Sequence, residues 1–188
     1  MAPNSQIEAL EAQIRECYGR VVWTHKTHEK CADILQDRNN SVKFWQIVLS
    51  AVTTSGIFIT VLGDNKIAGI SAAIVSMLSL AISTYVKKYD LGGLAQKHAD
   101  TASAIWNVRE KYFSLLTDIK VGDVSLTEIR AQRDKLQSEL HKLYKGSPRT
   151  ISKAYDQASK ALKEMEEMTF SDQEIDKFLP ANLRKDSE

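Results

Sequence analysis

Disulfide chemistry has almost no material in this chain. Cysteine occurs twice, at Cys17 and Cys31, too rarely to staple a small secreted domain. Three prolines and eight glycines exclude collagen-like and proline-rich linker architectures. Net charge is nearly absent: 25 Lys and Arg oppose 24 Asp and Glu, leaving a formal +1. A balanced chain with 43% hydrophobic residues is not intrinsically disordered. It also lacks the basic excess that draws a whole chain to nucleic acid, so no direct nucleic-acid partner is expected. The sequence holds no Gly-rich phosphate loop, HExxH, paired CxxC or nucleophile elbow, which leaves an enzyme reading without support. No cofactor is expected.

Charge is also missing locally. The nineteen residues from Phe44 to Leu62 and the twenty from Ile67 to Val86 carry none. At about 1.5 Å of rise per residue, each makes a helix close to the ~30 Å of bilayer hydrocarbon. Only Gly63-Asp64-Asn65-Lys66 separates them, a turn-forming tetrapeptide that makes the helices antiparallel neighbours. The expected partner is therefore a lipid bilayer. The competing reading is an apolar hairpin buried inside a soluble bundle, but such helices usually keep a charged face. No signal peptide is read before the spans. Lys26, Lys30, Arg38 and Lys43 precede the first span and Lys87, Lys88 and Lys97 follow the second, so the positive-inside rule predicts a multi-pass protein with both termini cytoplasmic. Trp45, Tyr85 and Tyr89 would form an aromatic belt at that interface.

Both spans are patterned. Gly69, Ala72, Ser76, Ser79 and Ser83 recur at spacings of three and four, a face of small residues. Gln46, Ser50, Thr53, Ile57 and Thr60 do the same on the first span, on a mostly polar face. Small residues allow close helix packing with hydroxyls bonding across the seam; the alternative is a hydroxyl-lined pore, which needs several copies and predicts a homo-oligomer. No ionisable group lies inside either span, which argues against a proton relay.

Outside the spans the pattern is helical, and the expected fold class is all-α: a transmembrane hairpin (44–62 and 67–86) carried by cytoplasmic helices that form a bundle. An N-terminal amphipathic helix (1–43) has the stripe Ile7, Leu10, Ile14, Cys17, Val21, Thr24, His28, Cys31 and Leu35, with Asn39-Asn40-Ser41 loosening it before the membrane. The segment 87–120 continues from the second span through a Gly92-Gly93 hinge, with Leu94, His98, Ala102, Ile105, Tyr112, Leu116 and Ile119 on one side. Gly122 breaks it. The extension 121–188 opens a helix at Ser125 with Glu128, a capping-box spacing, and carries Leu126, Ile129, Leu136, Leu140 and Leu143. Another helix starts with Ser147 as N-cap and Pro148 at N1, placing Ile151, Tyr155, Ala158, Leu162 and Met165 on its apolar face. Ser171 with Glu174 opens a last short one.

His25, His28 and Cys31 share a helix face, but further ligands at confirming spacing are missing, so no metal site is expected. His98 and His141 stand alone. Cys17 and Cys31 are about 21 Å apart along one helix, too far for a bridge. Lys142, Lys145, Arg149, Thr150 and Lys153 form a basic region with two readings: contact with anionic lipid headgroups, or capture of a phosphate or nucleotide at the helix start beside Ser147.

The layout resembles the SLATT domains, two-transmembrane effectors associated with bacterial nucleotide-synthetase and SLOG-domain conflict systems. The resemblance rests on the tight hairpin Phe44–Val86, on Leu91-Gly92-Gly93-Leu94 through Lys97-His98-Ala99 to Tyr112 and Leu116, and on the tail from Ser147-Pro148-Arg149-Thr150 to Lys163 and Thr169–Asp176. It implies an inner-membrane effector of antiviral defence, pore-forming or membrane-disrupting, released by an upstream nucleotide-synthesising or sensor protein. The alternative is a membrane-anchored helical scaffold that recruits a partner without conducting ions.

Overall fold

The computed structural model describes residues 3–63 and 66–185. The chain is helical from end to end: α1 (Pro3–Gly63), α2 (Lys66–Tyr89), α3 (Leu91–Val121), α4 (Leu126–Gly146), α5 (Ser152–Lys163), α6 (Asp172–Phe178) and a 3₁₀ turn at Ala181–Leu183. No strand occurs among the described residues. Asp64 and Asn65 of the expected turn lie outside them.

The N-terminal stripe and the first span are one helix of 61 residues, about 90 Å long. The expected loosening at Asn39-Asn40-Ser41 does not occur. Asn39 is buried at 6% exposure against α3, where its amide sits 3.2 Å from the place a Cβ on Gly92 would take. Gln36 Nε2 donates to Asn40 Oδ1 at 3.1 Å one turn on. A tertiary contact and an i,i+4 bond thus hold a weak helix sequence helical.

The return path does break, at Asp90 rather than at a glycine hinge, so α3 does not continue α2. Asp90 is left-handed (φ 34°, ψ 58°) and its carboxylate accepts from Gly93 N at 3.0 Å. Gly92 and Gly93 are in the first turn of α3 for space: a Cβ on Gly93 would fall 2.2 Å from Asp90 Oδ2. Gly122 ends α3 left-handed at φ 83°, the expected C-cap geometry.

From the break, α3 runs back along the N-terminal half of α1, and α4 closes the bundle. Its core joins Leu10, Ile14 and Val21 of α1 to Ile105, Val108, Tyr112, Leu115 and Ile119 of α3 and Ile129 and Leu136 of α4. Helix α5 also packs on α1, through a face offset from the expected one. Ala154, Ala158 and Ala161 are buried, while Tyr155 and Met165 are more than half exposed. Alanine permits a close approach, and Ala154 meets Cys31 and Ile34 there.

Two caps differ from expectation. Ser147 ends α4 instead of opening a helix: its hydroxyl donates back to Leu143 O at 2.7 Å. Pro148 to Thr150 have no regular secondary structure between the extended residues Ser147 and Ile151, and α5 begins at Ser152 behind Ile151, which makes no side-chain cap. Ser125 accepts from Glu128 N, and at α6 the full Ser171–Glu174 capping box forms.

Asp90 tests this account of the junction. Asp90→Ala removes the cap while keeping the left-handed cost, and is expected to destabilise the detergent-solubilised protein by about 1 kcal/mol or more. Asp90→Asn, whose amide oxygen can cap and whose backbone tolerates φ > 0, should retain most of that stability in thermal melts followed by helical circular dichroism.

Candidate functional site

The hairpin is built by three cross-helix contacts in constant register. Gln46 Nε2 donates to Ser83 Oγ at 3.2 Å. Gly56 lies against Ala72, so that a Cβ added there would be 2.9 Å from the Ala72 Cβ. Gly69 lies against Thr60, whose Cγ2 is 3.1 Å from its Cβ position. This register sets Ser50 level with Ser79 and Thr53 level with Ser76 on antiparallel helices. The two polar stripes of the sequence therefore face each other across one hairpin.

Within that arrangement the expected site residues divide. Thr53, Thr60, Gly69, Ala72 and Ser79 are buried or half-buried in the seam, while Ser50, Ser76 and Ser83 are exposed along one edge. Ile57 is not in the seam; it is 53% exposed, and Gly56, one residue earlier, takes its place. Its spacing of four from Thr60 was the available signal. The opposite flank is a separate groove of about 420 Å³ lined by Val52, Ser55, Ser71 and Val75. Five hydroxyls satisfy themselves on their own helix: Thr53 to Leu49 O, Thr54 to Ser50 O, Ser55 to Ala51 O, Thr60 to Gly56 O and Thr84 to Leu80 O, all at 2.8–2.9 Å. Such hydroxyls can face hydrocarbon without an unmade bond.

The rest of the hairpin surface is apolar and uncovered. Its most apolar stretches are 0% buried in the first helix and 6% in the second, with Ile47, Phe58, Val61, Ile67, Met77 and Leu80 widely exposed. Exposed aliphatic surface on this scale is unfavourable in water. A buried hairpin inside a soluble bundle is not what the fold forms.

The basic region does not form one site, and it does not sit at a helix start. Lys142 and Lys145 are exposed on α4. Lys153 lines a groove with Asp33, Asp37 and Tyr85, next to the hairpin. Arg149 and Thr150 lie in the α4–α5 linker and line a different cavity of about 670 Å³, with Arg20, Trp23, His28 and Tyr144. Arg20, Trp23 and Tyr144 of that cavity were not singled out from sequence, because nothing local links residues so far apart in the chain; His28 was, as a stripe residue.

One wall of this cavity belongs to a buried histidine pair. His28 Nδ1 lies 2.9 Å from His98 Nδ1, joining α1 to α3, so His98 does not stand alone. Membership of both apolar stripes was the signal for it. At that distance one imidazole donates and the other accepts, which requires the acceptor to be neutral and excludes protonation of both. Burial, with the neighbouring His98 and His25, holds His28 down at about 4. Burial also lowers His98 and His25, the latter against the pull of Glu29. Lys26, beside them, bonds Glu29 at 3.0 Å and Glu167 at 2.5 Å. Cys17 and Cys31 are free thiols.

A family model matches residues 10–174: SLATT_4, the SMODS and SLOG-associating 2TM effector domain family 4. The chain belongs to this SLATT family. No curated protein and no solved structure matches. Its uncovered apolar hairpin supplies the two spans that the family description names, and the chain is a membrane protein of effector type.

The histidine pair predicts a pH dependence for the SLATT bundle. The folded state holds these imidazoles below their unfolded value of about 6.5, so the unfolded state binds more protons as pH falls from 6.5 toward 4. Stability present at pH 7 is lost across that window, by about 2 kcal/mol at pH 5 from His28 alone. Thermal melts between pH 7.5 and 5 should show the loss, and His28→Gln should flatten the slope.

Proposed function

We propose that this SLATT protein is an oligomeric effector of bacterial antiviral defence that opens an ion path through the inner membrane when a partner or upstream signal acts on its cytoplasmic bundle. The observation carrying this reading is the hydroxyl-bearing edge where the two polar stripes meet. Ser50, Ser76 and Ser83 lie exposed beside the seam; Ser55 and Ser71 line the opposite groove, and most of the remaining exposed side chains are apolar. One hairpin encloses nothing. Several copies arranged with this edge inward would line a lumen with hydroxyls and turn the apolar faces toward lipid and one another. The absence of ionisable groups from both spans fits a leak rather than a coupled transporter. The lysines flanking the spans favour cytoplasmic termini, and the packing of α3 back along α1 keeps both flanking segments on one side. The mechanism is non-enzymatic.

The second reading, a membrane-anchored scaffold, has its own support. Gly56–Ala72 and Thr60–Gly69 form a tight intramolecular seam, and all four threonine hydroxyls of the spans are already bonded to their own helix, so the hairpin packs without a lumen.

Substitution on the exposed edge separates the two. Ser76→Leu should leave alkaline-resistant membrane association unchanged, but abolish growth arrest on activation and reduce ion leak from proteoliposomes at least tenfold. Leu on the opposite flank, at Val52, should do neither. A Ser76→Leu protein that still arrests growth and leaks ions removes this edge as the conducting surface; a parent protein that never leaks under activating conditions favours the scaffold.

A further inference from the structure

The cavity between α1 and the α4–α5 linker is distinguished by charge. Arg20 and Arg149 line it with Trp23, Thr24, Tyr144 and Thr150, and no carboxylate does. The other cytoplasmic grooves contain acids: Asp33 and Asp37 beside Arg38 and Lys153 in one, Glu29, Glu166 and Glu167 beside Lys26 and Arg109 in another. Arg20 has a partner, Glu16, on its own helix. Neither the main chain nor the side chain of Arg149 or Thr150 takes part in any described hydrogen bond or ion pair. The Trp23 indole N–H is buried with no partner. His28, on the cavity wall, is neutral at pH 7. The lining thus presents two guanidinium groups, Arg20 paired with Glu16 outside the lining and Arg149 with no described partner, together with the Tyr144 and Thr150 hydroxyls and no carboxylate in the lining itself.

Guanidinium forks match phosphate geometry. The lining also has a ring surface: Tyr144 is 42% exposed. Trp23 is less available, being occupied by Tyr155 at 5.3 Å between ring centroids and by Lys163 over its face. A phosphate alone would leave the Tyr144 face unused.

Position separates lipid from soluble phosphate. Helix α1 is continuous from this cavity to the first apolar span. Sixteen residues separate His28 from Phe44 and twenty-four separate Arg20 from it, about 24 and 36 Å along the axis. The headgroup layer of one leaflet is roughly 5–8 Å thick. A lipid phosphate does not reach this site.

We propose that this cavity binds a soluble organic phosphate, its anionic group held by Arg20 and Arg149 and its planar ring against Tyr144. The inference stands apart from the conducting reading, because binding is measured in detergent with no bilayer to cross. The test is isothermal titration calorimetry of the full chain in a neutral detergent with three soluble probes, adenosine triphosphate, pyrophosphate and adenosine, and short-chain phosphatidylglycerol as the lipid arm. Adenosine triphosphate should bind saturably, pyrophosphate more weakly and adenosine weakest. Arg149→Glu and Arg20→Glu should each weaken binding at least tenfold, Tyr144→Ala should erase the advantage over pyrophosphate, and Lys153→Glu, a matched charge change outside the cavity, should have no effect. Helical circular dichroism confirms that each variant is folded. No saturable binding of either phosphate probe, equal affinity in Arg149→Glu, or preferential binding of phosphatidylglycerol would overturn the proposal.

Discussion

Everything in this molecule is arranged around the unbroken length of α1. A helix satisfies its own backbone, so it can pass from water into hydrocarbon without exposing an unmade hydrogen bond. One face of the N-terminal part of α1 is covered by α3, α4 and α5, and its C-terminal part pairs with α2. The exchange of partners occurs at the returning chain, where Asp90 adopts a left-handed backbone and caps α3. Placing the break there leaves α1 continuous and brings Gly92 against Asn39, the contact that seats the bundle directly below the hairpin.

Two solvents impose two kinds of seam on one helix. In the bundle, water drives large side chains together: Ile14, Ile105 and Tyr112 are fully buried, and the stabilisation follows the apolar area removed from water. In hydrocarbon that drive is absent, and association depends on close contact and satisfied polar groups. The hairpin accordingly packs through Gly56, Ala72 and Gly69 instead of leucine or phenylalanine, and sends its aliphatic side chains outward. The same α1 thus reverses its pattern midway, large residues inside before Asn39 and small residues inside after Gln46.

Much of this was legible in the sequence because it is local or periodic. Uncharged runs of spanning length mark the hairpin, Gly122 marks a left-handed cap, Ser171 and Glu174 mark a capping box, and the stripes of α1 and α3 carry His28 and His98 on their buried faces. What failed was the reading of local signals that tertiary contacts override. Asn39-Asn40-Ser41 looks like a weak point until Gly92 is set beside it. Ser147-Pro148 looks like a helix start, but the hydroxyl caps the helix before it. At α5 the large apolar residues Tyr155 and Met165 drew the face toward themselves, whereas Met165 lies beyond the helix end and the helix approaches α1 through alanines. The hairpin register and the Arg20–Arg149 cavity were beyond a sequence reading altogether, since each joins residues whose proximity only the folded chain defines.

Continuity also bears on how the proposed activation would pass from the bundle to the hairpin. The His28–His98 bond lies in the α1–α3 seam, and His28 also forms part of the Arg149 cavity wall. A charge placed against His28 from the cavity favours protonating an imidazole that burial keeps neutral, and a protonated His28 can pair with His98 only as a donor. The seam must then re-form around an altered pair. Between His28 and Phe44 α1 offers no break at which such an adjustment could dissipate; the route on the other side passes through Asp90, where φ is already unusual and α2 and α3 are joined by a single residue outside both helices. In the proposed activation, a stiff α1 on one side and the Asp90 joint on the other would convert a shift in the bundle into a displacement of α1 relative to α2. In the hairpin, the contacts that resist such a displacement are the close approaches of Gly56 to Ala72 and Thr60 to Gly69.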